Sequence, residues 1–208
     1  MPKQTFHNLS IEKKQTLLVA AKKEFSRVPL HEAVISNIIK SADISRGSFY
    51  QYFEDLEDLF FYILGEHVKK NKNRFASELQ LQKGDLLETF ISLFGHMLED
   101  FKSEENRVFF HNAFLNMNHK VGNAFTEHTN MKNFTKQKSD FSQLIDSSKL
   151  NISSEQELIH IMKILKAVTF QNLTQSFAMK LSTEKALEIY TLEINMLKKG
   201  LYLPEDSK

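Results

Sequence analysis

The chain has 208 residues, of which 41% are apolar and none is cysteine, so it can bury a core but forms no disulfide or thiolate metal site. It has no apolar run of about 18 residues to cross a membrane, and residues 1–10 hold no apolar signal core, so a cytoplasmic location is expected. A net charge of +1 does not mark the whole chain as a nucleic-acid binder, but the charge is uneven. Residues 1–53 carry eight Lys and Arg against four Asp and Glu, a net of +4, and the remainder carries nineteen against twenty-two, a net of −3. A basic head on a mildly acidic body suits a protein that meets phosphate at one end.

Apolar positions recur every three or four residues, which predicts helices throughout. The first should follow Ser10 as N-cap, with Glu12 in its first turn and an inward stripe of Leu18, Ala21, Phe25 and Val28. Pro29 ends it. A second runs over about 31–41 with Ile35, Ile38, Ile39 and Ala42 inward. After a break at Asp43-Ile44, Ser45 caps a short third helix ending near Tyr52. Asp55 to Asp58 resembles a capping box that opens a fourth, reaching about Leu81. Lys83-Gly84 is a break, residues 85–101 form a fifth helix, and Ser103 caps a sixth. Phe125, Phe134 and Phe141 suggest one or two helices over 118–146. Residues 146–154 read as a loop. Ser154 to Glu157 is a second capping box, opening a helix to about Lys180. Ser182 caps the last, which Gly200 should end.

The informative stretch is residues 35–59, ISNIIKSADISRGSFYQYFEDLEDL. A short helix with an Ile/Ala face, a three-residue turn and a second short helix with outward donors is the layout of a DNA-reading helix-turn-helix. Arg46 suits guanine or phosphate, and Gly47 lets backbone approach closely. Ser48, Tyr50 and Tyr52 have hydroxyls for phosphates. Gln51 is exposed beside them.

SRGSFYQYF followed by EDLEDL resembles the DNA-binding end of the TetR/AcrR family of bacterial repressors, over roughly residues 10–60. The resemblance implies an all-α chain, with a helix-turn-helix domain over 1–56 and a helical effector-binding and dimerisation domain over 57–208. It assigns DNA contact to Ser36, Ser45, Arg46, Gly47, Ser48, Tyr50, Gln51 and Tyr52, with Phe49 inward. Two positions depart from the family pattern. Asp43 stands where the turn usually has Gly. Leu56, among Glu54, Asp55, Glu57 and Asp58, stands where the family often has a phosphate-binding Lys. Anchoring then falls more on the second helix, the tyrosines and basic residues of the first helix such as Lys13 and Lys14.

For the body, the resemblance implies a small-molecule pocket and a homodimer. Its Phe and Met density suits an apolar or aromatic effector. Leu64, His67, Phe90, Phe94, Met97, Phe110, Phe114 and Phe170 are the expected ligand residues. Ile161, Leu165, Val168, Asn172, Tyr190, Ile194 and Leu197 are the expected dimer face. Pairing the last two helices across a two-fold should bury about 2,000 Å² or more and space two heads for successive major grooves of an operator. Two rival readings remain. One is a haem- or metal-responsive repressor using body histidines such as His67, His96, His111, His119, His128 and His160. The other is a helical protein-binding adaptor. No phosphate loop, activated nucleophile or paired-carboxylate motif suggests an enzyme.

Overall fold

A computed structural model of the chain describes residues 2–115 and 141–201. The described residues form an all-α protein of nine α-helices. These are α1 (Gln4–His7), α2 (Ile11–Arg27), α3 (Ile35–Ala42), α4 (Arg46–Tyr52), α5 (Leu56–Leu81), α6 (Leu86–Asp100), α7 (Glu104–Leu115), α8 (Glu155–Ala178) and α9 (Thr183–Leu201). Short 3-10 turns lie at Leu30–Glu32, Ser142–Leu144 and Ser147–Lys149. The expected features at Asn118, Phe125 and Phe134, and His119 and His128, fall outside the described residues. No described helix is long and apolar enough to cross a membrane.

Two compact units divide the chain, and their limits differ from a cut at residue 56. One holds the described residues up to 69 together with 101–115, and the other holds 70–100 with 141–201. Helix α5 contributes to both.

In the first unit, Ser10 caps α2 by accepting the Lys13 amide at 3.3 Å. Leu17, Ala20, Ala21, Glu24 and Phe25 face inward. The inward register therefore includes Leu17 rather than Leu18, which is half-buried, and Val28 already lies beyond the helix in extended backbone. The second predicted helix starts later than residue 31, after a 3-10 turn and the extended Ala33 and Val34, and Val34 makes no side-chain cap. Glu24 braces this helix start from α2. It is 4% exposed, and its carboxylate accepts the Val34 amide and the Asn37 side chain, each at 3.1 Å. Arg27 closes the group with two bonds of 2.7–2.8 Å.

Helix α7 belongs to this unit and docks on α2. Asn112 donates to the Phe25 and Ser26 carbonyls at 3.1 and 2.9 Å, satisfying acceptors in the last turn of α2, while Lys22 donates to Asn106. Around them, edge and tilted ring contacts run from Phe25 to Phe60, Phe109 and Phe110. Asp55 accepts the Asp58 amide at 2.8 Å, and Asp58 returns the bond to the Glu54 amide at 3.2 Å, so the capping box forms one residue wider than the sequence pattern.

In the second unit, the later part of α5 lies beside α6 through two ionic groups. Asp100 takes Lys70 at 3.0 Å and Arg74 at 2.9 Å. Glu78 takes Ser92 at 2.6 Å and His96 at 2.9 Å. The Ser92 hydroxyl bond outweighs burial and, with His96, holds the Glu78 carboxyl below its ordinary range. The turn between α5 and α6 needs glycine. Gly84 has φ +78°, and an added Cβ would lie 2.7 Å from the Asp146 nitrogen and 2.9 Å from the Leu144 oxygen. Helix α8 opens on Ser154, which accepts the Glu157 amide, while Glu157 accepts the Ser153 amide. Phe94 stacks on Tyr190 at 4.0 Å, and the Tyr190 hydroxyl meets Thr169 at 2.7 Å. Gly200 does not end α9, which continues to Leu201.

Two stability measurements follow from these groups. Arg27 first, opposed by burial and aided by Val34 and Asn37, lowers the Glu24 pKa from 4.5 to about 2. The stabilisation is complete above pH 4.5 and is lost as pH falls toward 2. Glu24→Gln should cost about 2 kcal/mol in urea melts at neutral pH. The gap to wild type should close on acidification; a pH-independent gap contradicts the assignment. Gly84→Ala should cost about 2–4 kcal/mol through positive φ and backbone overlap, whereas an unchanged urea midpoint would show that the turn tolerates a side chain.

Candidate nucleic-acid interface

The surface is built from the turn joining α3 to α4. Asp43 ends α3 at φ 51°, ψ 48°, the left-handed conformation that the family pattern meets with glycine. The Ile44 amide returns to the Ile39 carbonyl at 3.0 Å, which completes the helix end. Ser45 then caps α4 by accepting the Ser48 amide at 3.0 Å, and the two hydroxyls bond at 2.8 Å. Ser45 is thus committed first to shaping the helix.

Helix α4 buries one side chain, Phe49, which is fully enclosed. Arg46, Gly47, Tyr50 and Gln51 are exposed, Ser48 and Tyr52 are half-buried, and Ser36 is exposed on α3. The Arg46 guanidinium lies 5.9 Å from the centre of the Tyr50 ring, a distance suited to cation–π attraction. No internal contact demands glycine at 47, where an added Cβ would meet only Ser45 Oγ at an ordinary 3.7 Å. Two neighbouring carboxylates are engaged with backbone amides, Asp55 and the buried Asp58. Lys14 is tied to the His7 carbonyl at 2.8 Å, whereas Lys13 and Lys40 are exposed.

Sequence reasoning missed residues 3–6. Phe6 is fully buried, with its ring 4.8 Å from Phe53 and 5.2 Å from Tyr62. The signal was a lone Phe among polar residues, too short a pattern to register as a helix. Glu24 was also missed, because a carboxylate at an apolar position of a helical stripe reads as a solvated charge.

The expected ligand residues fall into separate groups. In the first unit, Leu64 is buried, the His67 ring lies edge-on to Phe110 at 4.7 Å, and Phe110 stacks on Phe114 at 5.5 Å. In the second, Phe90 packs on Phe75 at 5.6 Å, Phe94 is taken up by Tyr190, and Met97 is half-buried. Phe170, on α8, is 39% exposed and stands apart from both groups. An open cleft in the second unit, lined by Ser142, Ser147, Ile152, Ser154, Glu155 and Leu158, includes none of these residues.

The residues expected at a dimer face pack largely within the chain. Ile161, Leu165, Asn172, Tyr190 and Ile194 are buried within the chain, Leu165, Tyr190 and Ile194 completely. Val168 and Leu197 are half-buried. Packing of α8 and α9 within their own unit consumes that stripe. The large apolar side chains left exposed on these helices are Ile164 and Phe170 on α8, and Leu192 and Met196 on α9.

The family model described as "Bacterial regulatory proteins, tetR family" matches residues 17–63, and "Tetracyclin repressor-like, C-terminal domain" matches 85–201. The HTH-type transcriptional regulator YdgC of Bacillus subtilis (strain 168) is 32% identical over 74 residues, 36% of this chain. That match spans only 37% of YdgC. Among solved structures, a TetR-family regulator from Mesorhizobium loti MAFF303099 superimposes with a TM-score of 0.62 at 15% identity, covering 92% of this chain and 98% of that one. NalD, the secondary repressor of the MexAB-OprM multidrug efflux pump in Pseudomonas aeruginosa, gives 0.58 at 15% identity, covering 94% and 97%. FadR from Bacillus subtilis in complex with stearoyl-CoA gives 0.58 at 13% identity, covering 85% and 97%. These likenesses carry the fold, and the matches to both family models carry the assignment: the chain belongs to the TetR family of bacterial transcriptional regulators.

Proposed function

We propose that this regulator is a repressor that binds a two-fold operator as a homodimer, in the cytoplasm, and is released by an apolar or aromatic small molecule. The observation that carries the DNA-reading part is the division of labour on α4. One side chain, Phe49, holds the helix to the protein, while Arg46, Gly47, Tyr50 and Gln51 point away. A glycine in a helix costs stability relative to alanine, and here no internal contact compensates, so its value lies in what approaches from outside. Close backbone approach to a phosphate or base edge is that use.

The dimer is best served by the large apolar side chains that α8 and α9 leave exposed, Ile164, Phe170, Leu192 and Met196. They stand in for the buried positions that sequence periodicity favours. The effector rests on the abundance of aromatic side chains and on the His67–Phe110–Phe114 cluster in the first unit. The acyl thioester held by FadR and the efflux setting of NalD make long-chain acyl and drug-like apolar compounds sensible probes.

DNA selected from a random duplex pool by the wild-type chain provides the test. Affinity for the selected duplex should fall by orders of magnitude between low and moderate salt, through counterion release. Arg46→Ala should lose about 1–3 kcal/mol on that duplex and much less on a scrambled one. Gly47→Ala should gain about 0.5–1 kcal/mol of stability yet lose duplex binding at least about tenfold. A stabilised Gly47→Ala variant with undiminished binding would move the reading surface off α4. For assembly, Phe170→Glu with Leu192→Glu should give a folded monomer in light scattering, whereas Leu165→Asp should unfold the chain. A doubly substituted protein that remains dimeric would place the interface elsewhere.

A further inference from the structure

Helix α4 has seven residues, about 10 Å of rise, which is too short to hold itself in water. Its first turn is fixed by Ser45 and its middle by Phe49. Its last turn leaves carbonyls with no partner inside the helix. Three consecutive ones receive donors from residues 3 and 5. The Lys3 ammonium donates to the Tyr50 carbonyl at 2.8 Å, the Thr5 hydroxyl donates to Gln51, and the Lys3 amide donates to Tyr52 at 2.8 Å. The Lys3 charge also sits at the negative end of the helix dipole.

The same segment is anchored on its other side. Phe6 is fully buried against Phe53, just past the end of α4, and against Tyr62 on α5, with Tyr52 at 6.5 Å. Lys14 on α2 holds the His7 carbonyl at 2.8 Å. Residues 3–7 thus join the end of α4 to two longer helices.

The geometry points to residues 3–6 as a clamp that sets the position of α4 for DNA reading, with Thr5 and Phe6 as positioning residues that need not touch DNA. This role rests on the DNA-reading function proposed above. A reading helix must be held within about 0.5 Å of its productive position. Loosening its last turn therefore weakens base-specific binding and spares non-specific phosphate attraction, which tolerates displacement.

The clean variant is Thr5→Val, which removes one donor without changing shape or charge, with Thr5→Ser as the rescue. Each is titrated against the duplex selected by wild type and against a scrambled duplex, and amide hydrogen exchange is followed across residues 49–53 without DNA. Thr5→Val should bind the selected duplex about threefold to tenfold more weakly, bind the scrambled duplex as wild type does, and exchange faster over 49–53. Thr5→Ser should restore both. Phe6→Leu should show the same pattern more strongly; if it does not fold, the Thr5 pair decides. Equal loss on both duplexes, or unchanged selected-duplex binding by Thr5→Val, overturns the clamp. A wild-type chain that selects no duplex overturns the DNA-reading function and this role with it, and is distinguished by the wild-type titration alone.

Discussion

The Glu24 carboxylate joins α2 to the first helix of the DNA-reading pair. Helix α3 starts after Val34, whose hydrocarbon side chain makes no capping hydrogen bond. Glu24 reaches across from α2 to the Val34 amide and the Asn37 side chain, while Arg27 matches its charge. Burying a carboxylate is costly unless its oxygens are satisfied, and here each oxygen takes at least two donors. A negative group also suits the positive end of a helix. Because α3 leads into α4 through a three-residue turn, the carboxylate that fixes α3 also constrains where the reading helix can lie.

Beyond that anchor, the first unit separates residues that hold from residues that present. Ser45 and Phe49 hold α4, Asn112 from α7 closes the carbonyl end of α2, and Asp55 and Asp58 cap each other's neighbourhood at the start of α5. With those tasks covered, Arg46, Gly47, Tyr50 and Gln51 remain outward. The acidic stretch after α4 is less repulsive than its composition suggests, since two of its carboxylates are turned to backbone amides.

The helices were legible because their signals are local. Ser10, Ser45, Ser103, Ser154 and Ser182 each cap the helix they precede. The inward Phe49 follows from the resemblance to the family pattern, and Asp43, standing where that pattern has Gly, takes the left-handed conformation. What failed depended on tertiary packing. Leu165 on α8 and Tyr190 and Ile194 on α9 lie on apolar stripes, but periodicity cannot say whether a stripe meets its own chain or another, and here these residues are buried within their own. Gly200 carries a stop signal, yet the helix includes it and Leu201. Residues 3–6 and Glu24 act through partners far away in sequence, Gln51 and Tyr52 for the one and Val34 and Asn37 for the other, which no local pattern encodes.

The most direct measurement of α4 as the reading helix uses the absence of cysteine from the chain. Glu54→Cys places a single thiol just past the end of α4, where an iron–EDTA group can be attached to cut nearby DNA. On the duplex selected by the unlabelled chain, the account predicts two focused clusters of strand cuts, related by the two-fold and separated by about one helical turn or a multiple of it. Diffuse cutting along the duplex, or focused cutting obtained only from a label placed at exposed Asn195 on α9, would contradict it.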